Sequence, residues 1–138
     1  MIIEALDGIS DRELDACEAC GEWPPREVVH HLADSEMTSA LRLRRLLVED
    51  QPEILNYDQD AYARQLWYDR TIDASLAAFR AVRETTGELL MRMSDADWDR
   101  AGTHSESGRY GALDWLEIYA VHAHDHADQI RRARATVR

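Results

Sequence analysis

Three long stretches carry apolar side chains at helical rather than alternating spacing, and no other feature constrains the chain as much. "PPREVVHHLADSEMTSALRLRRLLVED" opens on two prolines suited to a helix start and is followed by Pro52, so it predicts one helix from about Pro25 to Glu49. "TIDASLAAFRAVRETTGELLMRMS" repeats apolar residues at Ile72, Leu76, Phe79, Leu90 and Met93, with Thr71 as the expected N-cap. "GALDWLEIYAVHAHDHADQIRRARA" ends on arginines that suit the negative end of a helix dipole. No alternation is long enough to predict a sheet, so "SDADWDRAGTHSESGRYG" reads as a loop and "NYDQDAYARQLWYDR" as a partly helical connection. The expected fold is all-α, in a single domain over 1–138.

Composition narrows the function classes. Every one of the 16 basic residues is an arginine, scattered among 27 acids for a net charge of −11, which repels phosphate backbones; nucleic acid is not an expected partner. No window approaches the roughly 20 apolar residues of a membrane span, and "MIIEALDGISDRELD" does not resemble a secretory signal. No membrane partner and a cytoplasmic location are expected. Cys17 and Cys20 form a lone C-x-x-C with no preceding strand and no second pair, so they read as ordinary buried or half-buried thiols.

The histidines carry the chemistry. "VHAHDHADQI" holds three of the chain's six. With Leu116 as zero at about 100° per residue, Ala112, Ala120, Ala123, Ala127 and Ile130 form a buried stripe, expected to leave the core before Arg134. His126 lies at about −80°, His122 at about −120°, Gln129 at about −140° and His124 at about +80°. His122 and His126 therefore point together and His124 away. An i, i+4 pair places two imidazoles close enough to share a metal, and a third ligand is sought in "VVHHLADSE". There His31 lies about 100° and His30 about 160° from the apolar stripe, which makes His31 the better placed. A polar helix face is the competing reading of all these histidines.

Two regions resemble the DinB/YfiT-like family, whose members are read as metalloenzymes. "EWPPREVVHHLADSE" is similar to the family's W-x₇-H-L-x₃-E pattern and "GRYGALDWLEIYAVHAHDHADQI" to its H-x₃-H-x₂-Q-I pattern. The resemblance implies an antiparallel four-helix bundle holding one divalent ion, zinc or nickel, on His31, His122 and His126. His30 and His124 match no family ligand. Only about 20 residues precede Trp23, broken at "LDGIS" and "ACGEW", so the first helix is expected to be short or split: one piece near Ile2 to Leu6, another from Asp11 with Ser10 as N-cap and Glu13 closing a capping box.

Three imidazoles leave a coordination position open, as catalytic sites do. Asp34, Glu36 and Asp125 are the nearest acids able to orient them, and Trp115 and Tyr119 lie on the ligand shoulder as candidate pocket walls. The resemblance implies hydrolysis or transfer of a low-molecular-weight thiol, with a small-molecule substrate the sequence does not identify. The alternative is a non-catalytic bundle, metal-stapled and serving stress or interaction roles. Because ordinary imidazoles titrate near 6.5, metal is expected to be lost on acidification through that region. The fragmentary first helix predicts a groove on the long helices and a homodimer that covers it.

Overall fold

The computed structural model describes residues 1–137, and within them the order is α1 (Ile2–Leu6), α2 (Asp11–Leu14), α3 (Pro25–Val48), β1 (Glu53–Ile54), α4 (Gln59–Gln65), α5 (Asp73–Leu90), α6 (Asp95–Trp98), β2 (Ala101–His104), β3 (Gly108–Gly111) and α7 (Ala112–Ala135). The three long helices form where helical periodicity placed them. α3 is central, packed on α5 and on α7, while α1 packs on α7 and supplies part of the fourth wall of the bundle. The first helix is split as expected. Ser10 accepts from the Glu13 backbone N–H, and the Glu13 carboxylate accepts from Ser10 N–H in return.

Burial divides into two clusters along α3. At one end Val28, Val29 and Leu32 meet Phe79 of α5, Ala123, Ala127 and Ile130 of α7, and Ile2, Ala5 and Leu6 of α1. The alanines of α7 leave the room into which these larger side chains fit. At the other end Leu43 and Leu46 meet Trp115, Tyr119, Tyr110 and Ile54.

Several expectations give way. Positions 101–111 are not a loop but a hairpin, β2 antiparallel to β3, with β1 added in parallel to β2. The sheet shields the second cluster through Ile54 and Tyr110, and Gly102 is required there: a Cβ at that position would stand 2.1 Å from the Pro52 carbonyl oxygen. Thr71 does not cap α5; Ile72 occupies the cap position without a side-chain bond. Ala120 is exposed, whereas Trp115 and Tyr119 are buried, so the buried face of α7 is rotated toward them in its first half. Nor does the stripe leave the core at Arg134. That guanidinium is buried, bonds the Ala5 carbonyl and pairs with Glu13 at 3.1 Å, tying α7 to both pieces of the split helix.

Arginines also close the far end of α3. Arg100 donates to the carbonyls of Leu46 and Glu49, and Arg45 and Arg42 to those of Glu53 and Leu55. One carbonyl of the last turn of α3, that of its C-cap and two in the segment after it are thereby bonded. Among the described residues no helix is long and apolar enough to cross a membrane.

Candidate metal centre

His31 from α3 and His122 and His126 from α7 converge on the seam between the two helices. One ring nitrogen from each lies within 4.8 Å of the others. His122 and His126 are one turn apart, with ring centroids 4.6 Å apart and nearly perpendicular, and His31 meets both edge-on at 5.2 and 4.9 Å. These are the three residues that helical phase and motif spacing select.

The geometry fits a shared cation. The Nε2 atoms of His31 and His122 are 3.2 Å apart, at the long limit of an N–H···N bond. Two nitrogens bound tetrahedrally at zinc distances stand about 3.3 Å apart, so this separation is compatible with a shared ion as well as with a hydrogen bond. His126 turns Nδ1 to Gln129 Oε1 at 2.8 Å, which leaves its Nε2 for the same point. Burial keeps all three rings neutral. It pushes His31 down to about 3 and His122 to about 4, the charges of the neighbouring imidazoles adding to the effect, and burial lowers His126 as well. Neutral imidazole is the ligating form.

The surroundings separate a packed wall from an open one. Trp23 and Tyr57 lie against His31, Trp23 at 4.9 Å between centroids and Tyr57 stacked at 6.3 Å. Beyond Trp23 a cavity of about 280 Å³ reaches His126 and Gln129, bounded by Gly21, Glu22 and Trp23 itself before α3 and by Gln59 and Asp60 of α4. α4 has no buried residue and forms that wall without entering the core.

Of the remaining candidates Tyr119 stands against the cluster, its ring edge-on to His122 at 6.0 Å between centroids, and the others lie elsewhere. Asp34 accepts from the Tyr68 hydroxyl at 2.6 Å, and Glu36 is buried against Arg83 at 3.4 Å. Burial raises the Glu36 carboxyl, with the guanidinium opposing the shift. Asp125 is exposed and acts on His122 and His126 only through its charge. Among the described residues none of these three acids is hydrogen-bonded to a ligand histidine. The residue that is, Gln129, lay on the same helical shoulder as His122 and was not selected. Trp115 is a core residue whose indole N–H donates to the Ser39 carbonyl at 2.8 Å. With Tyr119, Glu36 and Arg83 it lines a separate cleft of about 170 Å³ that none of the three histidines borders.

His30, placed by phase far from the apolar stripe, is buried. Its Nδ1 meets Ser75 Oγ at 2.7 Å and its Nε2 the Arg70 carbonyl at 3.1 Å, so it pins the start of α5 to α3. His124 is exposed, and His104 Nδ1 accepts from the backbone of Glu106 in the hairpin turn. Cys17 and Cys20 are free and exposed rather than buried.

A helical bundle with three converging neutral imidazoles on one interhelical seam defines a class of metal-site bundle proteins. Residues 1–130 match the family model of the DinB superfamily, and the chain belongs to that family. It is 34% identical over 122 residues to a "Putative metal-dependent hydrolase" of Oceanobacillus iheyensis, covering 88% of this chain and 71% of the relative. It is 33% identical over 130 residues to YfiT of Bacillus subtilis, which bears the same designation, covering 92% and 72%. The solved structure of YfiT, described as having an unusual four-helix bundle topology, superposes with a TM-score of 0.90 at 28% identity, over 98% of this chain and 78% of that one. TT2238, a four-helix bundle protein, shares the fold at a TM-score of 0.60 and 22% identity, over 97% and 87%.

Proposed function

We propose that His31, His122 and His126 hold one divalent ion, zinc or nickel, and that the protein is a metal-dependent hydrolase of a small molecule. The observation that carries this reading is the 3.2 Å approach of two Nε2 atoms in a cluster of three imidazoles whose burial keeps them neutral. Relatives named as metal-dependent hydrolases support the reaction class. When bound, the ion would supply Lewis acidity and lower the pKa of a water toward neutrality. The chain's own residues pack Trp23 and Tyr57 against the His31 ring and leave access through the cavity at His126.

The lining of that cavity supports hydrolysis over thiol transfer. Its boundary contains Glu22 and Asp60 and no cation, which disfavours an anionic thiol cosubstrate. The same open wall disfavours a purely structural ion. Metal-loaded protein assayed against esters, amides, and thiol plus electrophile tests the reading: metal-dependent turnover of an ester or amide is expected, and turnover confined to the thiol pair would replace hydrolysis with transfer.

We also propose a cytoplasmic homodimer. Exposed free thiols suit a reducing compartment. Leu113, Ile118 and Val121 of α7 and Met37, Leu41 and Val48 of α3 remain exposed, an apolar surface that a second copy would cover.

A further inference from the structure

We infer that Gln129 is a positioning residue that sets the tautomer of His126 and thereby makes its Nε2 a ligand. This rests on the metal-site reading and goes beyond it. A neutral imidazole carries one proton, on Nδ1 or on Nε2, and only the bare nitrogen can bind a cation. His126 Nδ1 lies 2.8 Å from Gln129 Oε1. A carbonyl oxygen only accepts, so the bond requires the proton on Nδ1 and leaves the lone pair on Nε2, the nitrogen not engaged by Gln129 and so free to serve the three-histidine cluster. If the amide turned by half a rotation, its NH₂ would face Nδ1 instead, the proton would move to Nε2, and the lone pair would be lost to the site.

Three features favour the orientation that carries Oε1 toward the ring. Gln129 follows His126 by three residues on one helix, so both side chains project over the same turn. The residue is half-buried beside the cavity, where its NH₂ group can reach solvent or a bound molecule, as a buried amide's could not. Asp125, the neighbouring acid on α7, is exposed, and among the described residues the hydrogen bond at His126 Nδ1 is with Gln129 rather than with a carboxylate. The amide orients the imidazole as a carboxylate would, without adding charge to the site.

The experiment compares Gln129→Leu, which cannot accept, with Gln129→Glu, which can only accept. In the metal-free protein, long-range ¹H–¹⁵N correlation should show His126 protonated on Nδ1 in the wild type and in Gln129→Glu. Gln129→Leu should populate the Nε2–H form. Zinc affinity, measured by competition with a chromophoric chelator, should fall about 10- to 100-fold in Gln129→Leu and stay within about threefold of wild type in Gln129→Glu. Equal tautomer populations in wild type and Gln129→Leu would overturn the inference. So would an affinity loss in Gln129→Glu as large as that in Gln129→Leu. His126→Ala keeps the two readings apart: full zinc binding by that variant sinks the metal centre itself, whereas loss of zinc there with undiminished binding by Gln129→Leu sinks only the role of Gln129.

Discussion

Acidifying the metal-free protein from pH 7 to pH 5 should destabilise it chiefly through the site histidines. Unfolded imidazoles titrate near 6.5, but in the fold His31 is pushed down to about 3 and His122 to about 4. Between these values the unfolded chain binds protons that the folded chain refuses, so stability falls as pH falls. The window opens near 6.5 and closes only below about 4. From pH 7 to pH 5 each group contributes about 2 kcal/mol of loss, obtained from the shift at about 1.4 kcal/mol per unit less the part already titrated at pH 7. The two sites repel one another when charged, so about 4 kcal/mol is an upper bound for the pair. Against a total stability of about 5–15 kcal/mol, that is a large fraction. Urea unfolding in the presence of chelator at the two pH values, for wild type and His31→Gln, isolates the effect: the variant should lose about 2 kcal/mol less than wild type. An identical loss in both proteins would refute the assignment of the pH dependence to a buried neutral imidazole.

Gly102→Ala should destabilise the fold by more than about 2 kcal/mol in urea titration, because the new methyl collides with the Pro52 carbonyl at the β1–β2 junction; Gly87→Ala, which meets nothing within 4 Å, should not. Arg134→Leu removes the guanidinium 3.1 Å from the buried Glu13 carboxylate and the donor to the Ala5 carbonyl, and should be destabilising by the same assay. Sedimentation equilibrium at micromolar concentration should give a mass near twice the 15.9 kDa chain, and a single-chain mass throughout would exclude the dimer.

What the sequence disclosed follows from which forces are local. Helix periodicity and the Ser10–Glu13 capping box involve neighbours within a turn or two, and both appear where the pattern places them. The hairpin escaped because its strands are only four residues long and its third strand comes from Glu53–Ile54, far away in the chain. His30 was misplaced for a different reason. A helix with one apolar stripe has one buried face, but α3 lies between α5 and α7 and buries a polar one as well, satisfying His30 with Ser75 and Arg70. Arg134 looked like an exit from the core because its partners, Glu13 and Ala5, sit at the opposite end of the sequence. The three ligand candidates were legible because an i, i+4 pair on one helix fixes two of them. The pH of metal release is less legible: ordinary imidazoles put it near 6.5, whereas burial of His31 and His122, lowered to about 3 and 4, shifts the expected proton competition to more acidic solution.

The most direct test of the central claim is the zinc and nickel content of purified protein, by elemental analysis, for wild type and for His31→Ala, His122→Ala and His126→Ala, each shown to be folded by circular dichroism. The account predicts one ion per wild-type chain, retained from pH 7 down to about pH 5 and released below it, and substoichiometric metal in all three variants. Full metal content in any two of the variants would contradict it.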